Sequence, residues 1–258
     1  VAEGKRAFEA DAKGYSTFRP SYTKGLLSHV TARLMQEPPR GGFVLDVGSG
    51  TGIFTRQLRA ALPDHIALTG IEPSPDMRAK ASALSPAGPS LTYADGTAER
   101  LHNEDGSVRA VIAASAAHWF ERPAFYAEAR RVLMPAGLLA IVEYVRDEKS
   151  SPAAAALIRF TAENGGEASY GRPDCAGEIA ALEGFGDVEI YQERSARRLT
   201  PEQYVGLAMS SSHARPAIAN LGQERAEAIL RQLGADHAEE DGLLSFGYLF
   251  QAFTARRS

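Results

Sequence analysis

The run Val44-Leu45-Asp46-Val47-Gly48-Ser49-Gly50-Thr51-Gly52 constrains this chain more than any other stretch. A short apolar segment ends at a glycine, and Ile53, Phe54, Leu58, Ala61 and Leu62 then recur at helical spacing. That order reads as strand, glycine turn, helix. Glycines allow the sharp turn, and a side chain at Gly48 or Gly50 would obstruct a ligand lying against the loop.

The turn sits within a wider alternation. Leu26, Leu27, Val30, Leu34 and Met35 share a face of an expected helix over 24–36, stopped by Pro38-Pro39 and Gly41-Gly42. After the glycine turn come a strand over 65–71, a helix capped by Ser74 with Pro75 in its first turn, and a strand over 91–93. A strand over 108–114, a helix over 123–133 closed by Pro135-Ala136-Gly137, and a strand over 138–145 follow. Strands alternating with helices imply a parallel sheet covered on both faces. Beyond Arg146 the alternation breaks, with an Ala-rich helix over 152–162 and two glycine-containing turns. A strand over 188–199, helices over 201–209 and 224–233, and a last strand over 246–255 complete the chain. The expected organisation is one domain over 1–258, in which the N-terminal segment 1–40 and an insertion at 146–185 cap the site.

Composition removes several classes of function. Twenty-eight Lys and Arg stand against 32 Asp and Glu, a net charge of −4 with no basic block, so no nucleic-acid partner is expected. The longest uncharged apolar runs, 110–120 and 132–142, fall well short of the roughly 20 residues that span a bilayer, so no membrane partner is expected. Cys175 is the only cysteine, which rules out an intrachain disulfide and a cysteine-rich metal site. With no apolar signal core in the first six residues, a cytoplasmic location is expected. His29, His65, His102 and His237 show no ligand spacing, so no metal is expected. Oligomeric state leaves no trace in the sequence.

Downstream acids suggest what the glycine loop holds. Glu72, at the end of the second strand, can accept hydrogen bonds from both hydroxyls of a ribose, and Asp95, after the third, can accept from an exocyclic adenine amine. A dinucleotide site fits less well. Its third glycine would fall on Ile53, and Asp46 occupies a position that is usually apolar there.

Together with Phe8 to Tyr22, Gly70-Ile71-Glu72-Pro73-Ser74, Ala94-Asp95-Gly96 and Ser115-Ala116-Ala117-His118-Trp119-Phe120, these residues resemble the class I S-adenosylmethionine (SAM) dependent methyltransferases. The group of small-molecule enzymes similar to trans-aconitate methyltransferases is the nearest in pattern. The resemblance implies a Rossmann-like three-layer sandwich: a seven-stranded, mostly parallel sheet with an antiparallel last strand, and a helical cap over the site. It implies SAM as cofactor, with Gly48 and Gly50 beside its methionine part, Glu72 on ribose and Asp95 near adenine, and with Asp46 and Gly96 among the cofactor contacts. Ser115 joins this set, and Tyr15 and Arg19 match an aromatic and arginine pair near the methionine carboxylate. Arg109 and His102-Asn103 depart from the pattern on the adenine side.

Methyl transfer from a sulfonium needs mainly an aligned nucleophile, with a base where the nucleophile carries a proton. His118 is the candidate base, because imidazole exchanges a proton near neutral pH; the alternative is that it shapes the pocket. Tyr22, Trp119, Tyr144, Tyr170 and His213 are the candidate substrate contacts, walls suited to a small planar or apolar molecule. Packing is the competing role for each aromatic, and a surface position for His213. Three other functions remain open: a nicotinamide oxidoreductase, a SAM-binding scaffold that does not methylate, and a nucleic-acid methyltransferase. Ser115-Ala116-Ala117-His118-Trp119 lacks the proline-rich pattern of base-amine methylation and opposes the last.

Overall fold

In the computed structural model, which describes residues 20–36, 41–165 and 174–258, the short apolar runs form β1 (Phe43–Val47), β2 (Leu68–Ile71), β3 (Leu91–Ala94) and β4 (Val108–Ala114). Three longer strands follow: β5 (Leu133–Arg146), β6 (Phe185–Leu199) and β7 (Leu244–Arg257). All seven pair in one sheet of order β3-β2-β1-β4-β5-β7-β6. β1 to β5 are mutually parallel, whereas β7 runs antiparallel to both β5 and β6. The mostly parallel seven-stranded sheet with an antiparallel last strand is therefore the observed fold.

Both faces of the central strands are buried, which explains why they read as continuous apolar runs. Val44, Leu68, Ala110, Ile112, Leu138 and Ala140 face one core cluster, and Leu45, Ile71, Val111, Ala113, Leu139 and Ile141 face the other. The first face carries α1 (Lys24–Met35) and α2 (Ile53–Ala61), and α3 (Pro75–Ala83) packs against β3. α4 (Arg122–Val132) covers the second face through Phe125, Ala129 and Val132. Ser74 accepts from Met77 N and Pro75 opens α3, as the sequence requires.

The expected cap divides on inspection. Leu26, Leu27, Val30 and Leu34 commit α1 to the first core, so it is a layer of the sandwich and not a roof. Within 146–185, α5 (Pro152–Gly165) packs against β7 and α8 (Arg215–Leu221) on that same face. α6 (Cys175–Ala180) instead places Cys175 and Ile179 in the second core, where Tyr126 and Arg122 of α4 both bond Glu178. The stretch thus supplies both helical layers. α7 (Pro201–Met209), closed at its start by a Thr200/Gln203 capping box, and α9 (Gln223–Asp236) complete the first face.

β1 and β4 are neighbours, yet the chain leaves β1 toward β2 on one side and returns in β4 on the other. At that reversal the loops after β1 and β4 diverge and open a crevice at the carboxyl ends. α2 fixes one wall of it through buried Phe54 and Leu58. Leu58→Ala should cost about 2–5 kcal/mol by loss of burial and cavity formation, checked by the denaturant midpoint at unchanged m-value.

Candidate functional site

The crevice is a cleft of about 470 Å³ lined by Pro20, Tyr22, Asp46, Gly48 to Thr51, Ile53, Phe54, Ala114, Ser115 and Tyr144. Gly48 and Gly50 have φ of 72° and 56°, and a Cβ on Gly48 would lie 2.6 Å from that of Ala116, so the approach of this loop to the β4 loop requires glycine. The N–H groups of Gly48 and Ser49 both donate to Ile71 O, folding the loop over the end of β2.

Two acids govern the electrostatics. Glu72 accepts from Gly50 N at Oε2 and from Ser74 N at Oε1, each at 2.9 Å. Asp46 is fully buried and accepts from Thr55 Oγ1 at 2.6 Å through Oδ2. Burial pushes its carboxyl up to about 7; the Thr55 hydrogen bond opposes the shift and the Glu72 charge adds to it. Asp46 Oδ1 and Ser49 Oγ are buried with no hydrogen-bond partner among the described residues. Such orphaned groups in a polar cleft are the marks of a site built for a ligand with donors of its own.

Ser115, at the end of β4, holds φ of 51°, a left-handed conformation uncommon outside glycine. Its N–H donates to Val142 O at 2.7 Å and its Oγ accepts from Tyr22 Oη at 2.9 Å. The Tyr22 ring meets Phe54 edge-on at 4.9 Å and Tyr144 at 5.8 Å. Tyr22 is only 7% exposed, so it is a wall of this cleft and not an open substrate contact.

Asp46, Gly48, Gly50, Ser115, Tyr22 and Tyr144 thus converge, with Glu72 at the edge. Asp95 is exposed and paired to Arg78 Nη1 at 2.7 Å, and with Gly96 it borders a second hollow of about 440 Å³ under residues 100–103. His118 and Trp119 lie on a short 3-10 turn, Ala117–Trp119, just beyond the end of β4. Both are exposed, their rings 5.0 Å apart, and neither lines the cleft. His213 is exposed on the turn Ser212–Ala214 and is not brought to the cleft either. Tyr15, Arg19 and Tyr170 lie outside the described residues. Among the described residues no group of three His, Cys, Asp or Glu is placed to hold a metal, and no helix is long and apolar enough to cross a membrane.

Sequence reasoning missed Ser49 and Thr51, which sit inside the glycine motif, and Pro20, for which no periodic signal exists. It missed Thr55 as the partner of Asp46, although a threonine in the first turn after a glycine loop is placed to reach the preceding strand end.

Residues 45–141 match the family model of the methyltransferase domain. The chain is 29% identical over 242 residues to an uncharacterized methyltransferase of Mycobacterium tuberculosis, covering 92% of this chain and 90% of that one. A Schizosaccharomyces pombe methyltransferase-like protein is 29% identical over 143 residues, 55% of this chain and 53% of that one. Among solved structures, an Anaeromyxobacter dehalogenans protein provisionally named a type II methyltransferase superposes with a TM-score of 0.66 at 23% identity, over 93% of this chain and 98% of that one. A Haemonchus contortus phosphoethanolamine N-methyltransferase, solved with S-adenosylhomocysteine, gives 0.55 at 17% identity over 98% of this chain and 58% of that one. The match over residues 45–141 and the shared fold make this chain similar to methyltransferases.

The buried carboxyl makes stability depend on pH in a defined sense. A folded-state value raised above the unfolded one stabilises fully below the unfolded value, and that contribution is lost as pH rises through the folded value near 7. Asp46→Asn lacks the proton equilibrium. Its ligand-free thermal midpoint relative to wild type should therefore rise by at least about 5 °C between pH 5 and pH 8, followed by calorimetry at both pH values.

Proposed function

We propose that the protein transfers a methyl group from SAM to a small organic molecule. The observation that carries this reading is the pair of acids at the glycine loop: Glu72, fixed by two backbone N–H groups, and Asp46, buried with one oxygen that has no partner among the described residues. The residues fit the cofactor. A carboxylate oriented by backbone donors can still accept from vicinal hydroxyls, and an uncompensated buried carboxyl favours a cationic ligand. A Cβ at Gly50 would meet nothing within 4 Å, space that would take the chain of an amino acid, and Ser49 Oγ supplies a further polar group. Outside the described residues, Tyr15 and Arg19 are assigned to the methionine carboxylate and Tyr170 to the substrate; Asp95 and Gly96 are assigned to adenine.

SAM when bound supplies an activated methyl on a sulfonium, so the chain's own task is alignment and water exclusion. Tyr22 and Pro20 cover one side of the cleft, Tyr144 bounds it at the end of β5, and Ser115 fixes the Tyr22 hydroxyl. His118, three residues beyond Ser115, is assigned as the group that takes a proton from the acceptor at the rim. Tyr144 in the cleft and Trp119 on the exposed turn beyond β4 are the substrate walls in this reading, with His213 assigned as a further contact outside the cleft. The net charge of −4 supports a substrate other than nucleic acid, and the single buried cysteine agrees with a reducing cytoplasm.

Calorimetric titration with SAM, S-adenosylhomocysteine and NAD should give binding of the first two only, and labelled SAM should transfer its methyl group to members of a panel of small aromatic and carboxylic metabolites. NAD binding without adenosyl-ligand binding would overturn the reading. His118→Ala should lower kcat by about 10²-fold while S-adenosylhomocysteine affinity stays within about twofold of wild type. Unchanged turnover would leave the histidine a pocket wall.

A further inference from the structure

The cleft is closed on one side by three residues that precede α1, and the way they are held is specific. Gln57, on α2, bonds the backbone of Tyr22 twice: Tyr22 N–H donates to Oε1 and Gln57 Nε2 donates to Tyr22 O, both at 3.0 Å. A carboxamide offers one donor and one acceptor at the spacing of a peptide group, so it mimics a strand partner for a single residue of irregular chain. Gln57 lies one turn beyond Ile53 and Phe54, the α2 residues that line the cleft, and so belongs to the same helical face. The Tyr22 hydroxyl is held from the opposite wall by Ser115, and its ring leans on Phe54 and Tyr144. Thr23 anchors the far end, capping α1 through Leu26 N and donating to Glu193 of β6.

We propose that Gln57 is a positioning residue that latches residues 20–22 over the cleft and thereby sets the rate at which an S-adenosyl ligand enters and leaves. The proposal rests on the cofactor reading above and adds to it a gate with a named catch. Pro20 and Tyr22 form the wall facing the glycine loop, so a ligand lying on Asp46 and Ser115 has this strap beside it. The strap is closed, with both Gln57 bonds made. Opening it breaks the two Gln57 bonds whether the ligand is about to enter or to leave, so the latch slows both steps and changes their ratio little.

The test is surface plasmon resonance with S-adenosylhomocysteine passed over immobilised wild type, Gln57→Leu and Tyr22→Phe, alongside hydrogen exchange of the ligand-free proteins. In Gln57→Leu the association and dissociation rates should both rise about tenfold, the loss of two ordinary hydrogen bonds, with Kd within about threefold of wild type. Tyr22→Phe, which keeps the ring and loses one bond, should shift both rates the same way by a smaller factor. The Tyr22 amide should exchange about tenfold faster in Gln57→Leu, while the amides of α2 are unchanged. A weaker Kd with an unaltered association rate would mean an ordinary structural or contact role and overturn the latch. So would wild-type rates in both variants, or an unchanged Tyr22 amide. A wild-type chain that does not bind S-adenosylhomocysteine at all would instead sink the cofactor reading, and this proposal with it. Should Gln57→Leu fold poorly, Gln57→Glu retains an acceptor for Tyr22 N–H and loses the donor to Tyr22 O; it must then show the same paired acceleration, and its failure to do so overturns the proposal.

Discussion

The carboxylate of Glu72 is the joint on which the site depends. One oxygen takes the N–H of Gly50 and the other that of Ser74, so the loop after β1 and the first turn after β2 are tied to one side chain. Ile71 O, one residue before it, receives the N–H groups of Gly48 and Ser49. The glycine loop is thereby wrapped around the end of its neighbouring strand, and its left-handed backbone follows from that wrapping. Where α2 begins, and hence where Phe54, Thr55 and Gln57 point, is a consequence. An ionised acid is suited to the position because charge-assisted bonds to backbone N–H groups are stronger than neutral ones.

The same arrangement imposes a cost on the neighbouring strand. Asp46 is buried without a cation among its described partners, receives one hydroxyl hydrogen bond, and feels the negative charge of Glu72. Nothing in the packing of the sheet requires an acid there, since the β1 residues on either side, Leu45 and Val47, are ordinary core. Ser115 repeats the pattern on the facing loop, a non-glycine residue in a left-handed conformation held by its Val142 and Tyr22 bonds. Strain and unsatisfied polarity concentrated on two facing loops, in an otherwise well-packed sheet, are what a binding site looks like before its ligand is considered.

The strands and the glycine turn were legible because buried parallel strands write themselves as apolar runs and because only glycine tolerates the turn. Boundaries were less so. Ile66 is buried, yet it lies before β2 as an anchor in a turn, and an apolar residue in a turn cannot be told from one in a strand by spacing alone. The helix before Pro135-Ala136-Gly137 ends at Val132, and Ala136, at φ of 62°, lies within a strand that begins already at Leu133. α6 offers only Cys175 and Ile179 as a face, too short a pattern to stand out. In the site, residues within one motif could be read, whereas partners separated by long stretches could not: nothing local in Gln57 or Tyr22 announces a contact across 35 positions. His213 stands outside the cleft lining for the complementary reason, that proximity to a helix end in sequence says nothing about which way the following turn faces.

Tyr22 shows how placement revises a role without changing the residue's importance. As an exposed aromatic it would have offered ring and hydroxyl to a substrate; in place, its hydroxyl is directed to Ser115, its backbone to Gln57, and its ring to Phe54 and Tyr144. One side chain therefore joins the glycine-loop helix, β4 and β5, the three walls of the cleft. Such a residue defines the shape of the cavity and has little surface left to discriminate among acceptors. The groups that remain accessible beyond those walls at the end of β4 are the exposed His118 and Trp119. The division is physically reasonable: a buried, multiply bonded wall fixes the shape of the cleft, while a short exposed turn can vary at little cost to the sheet beneath it.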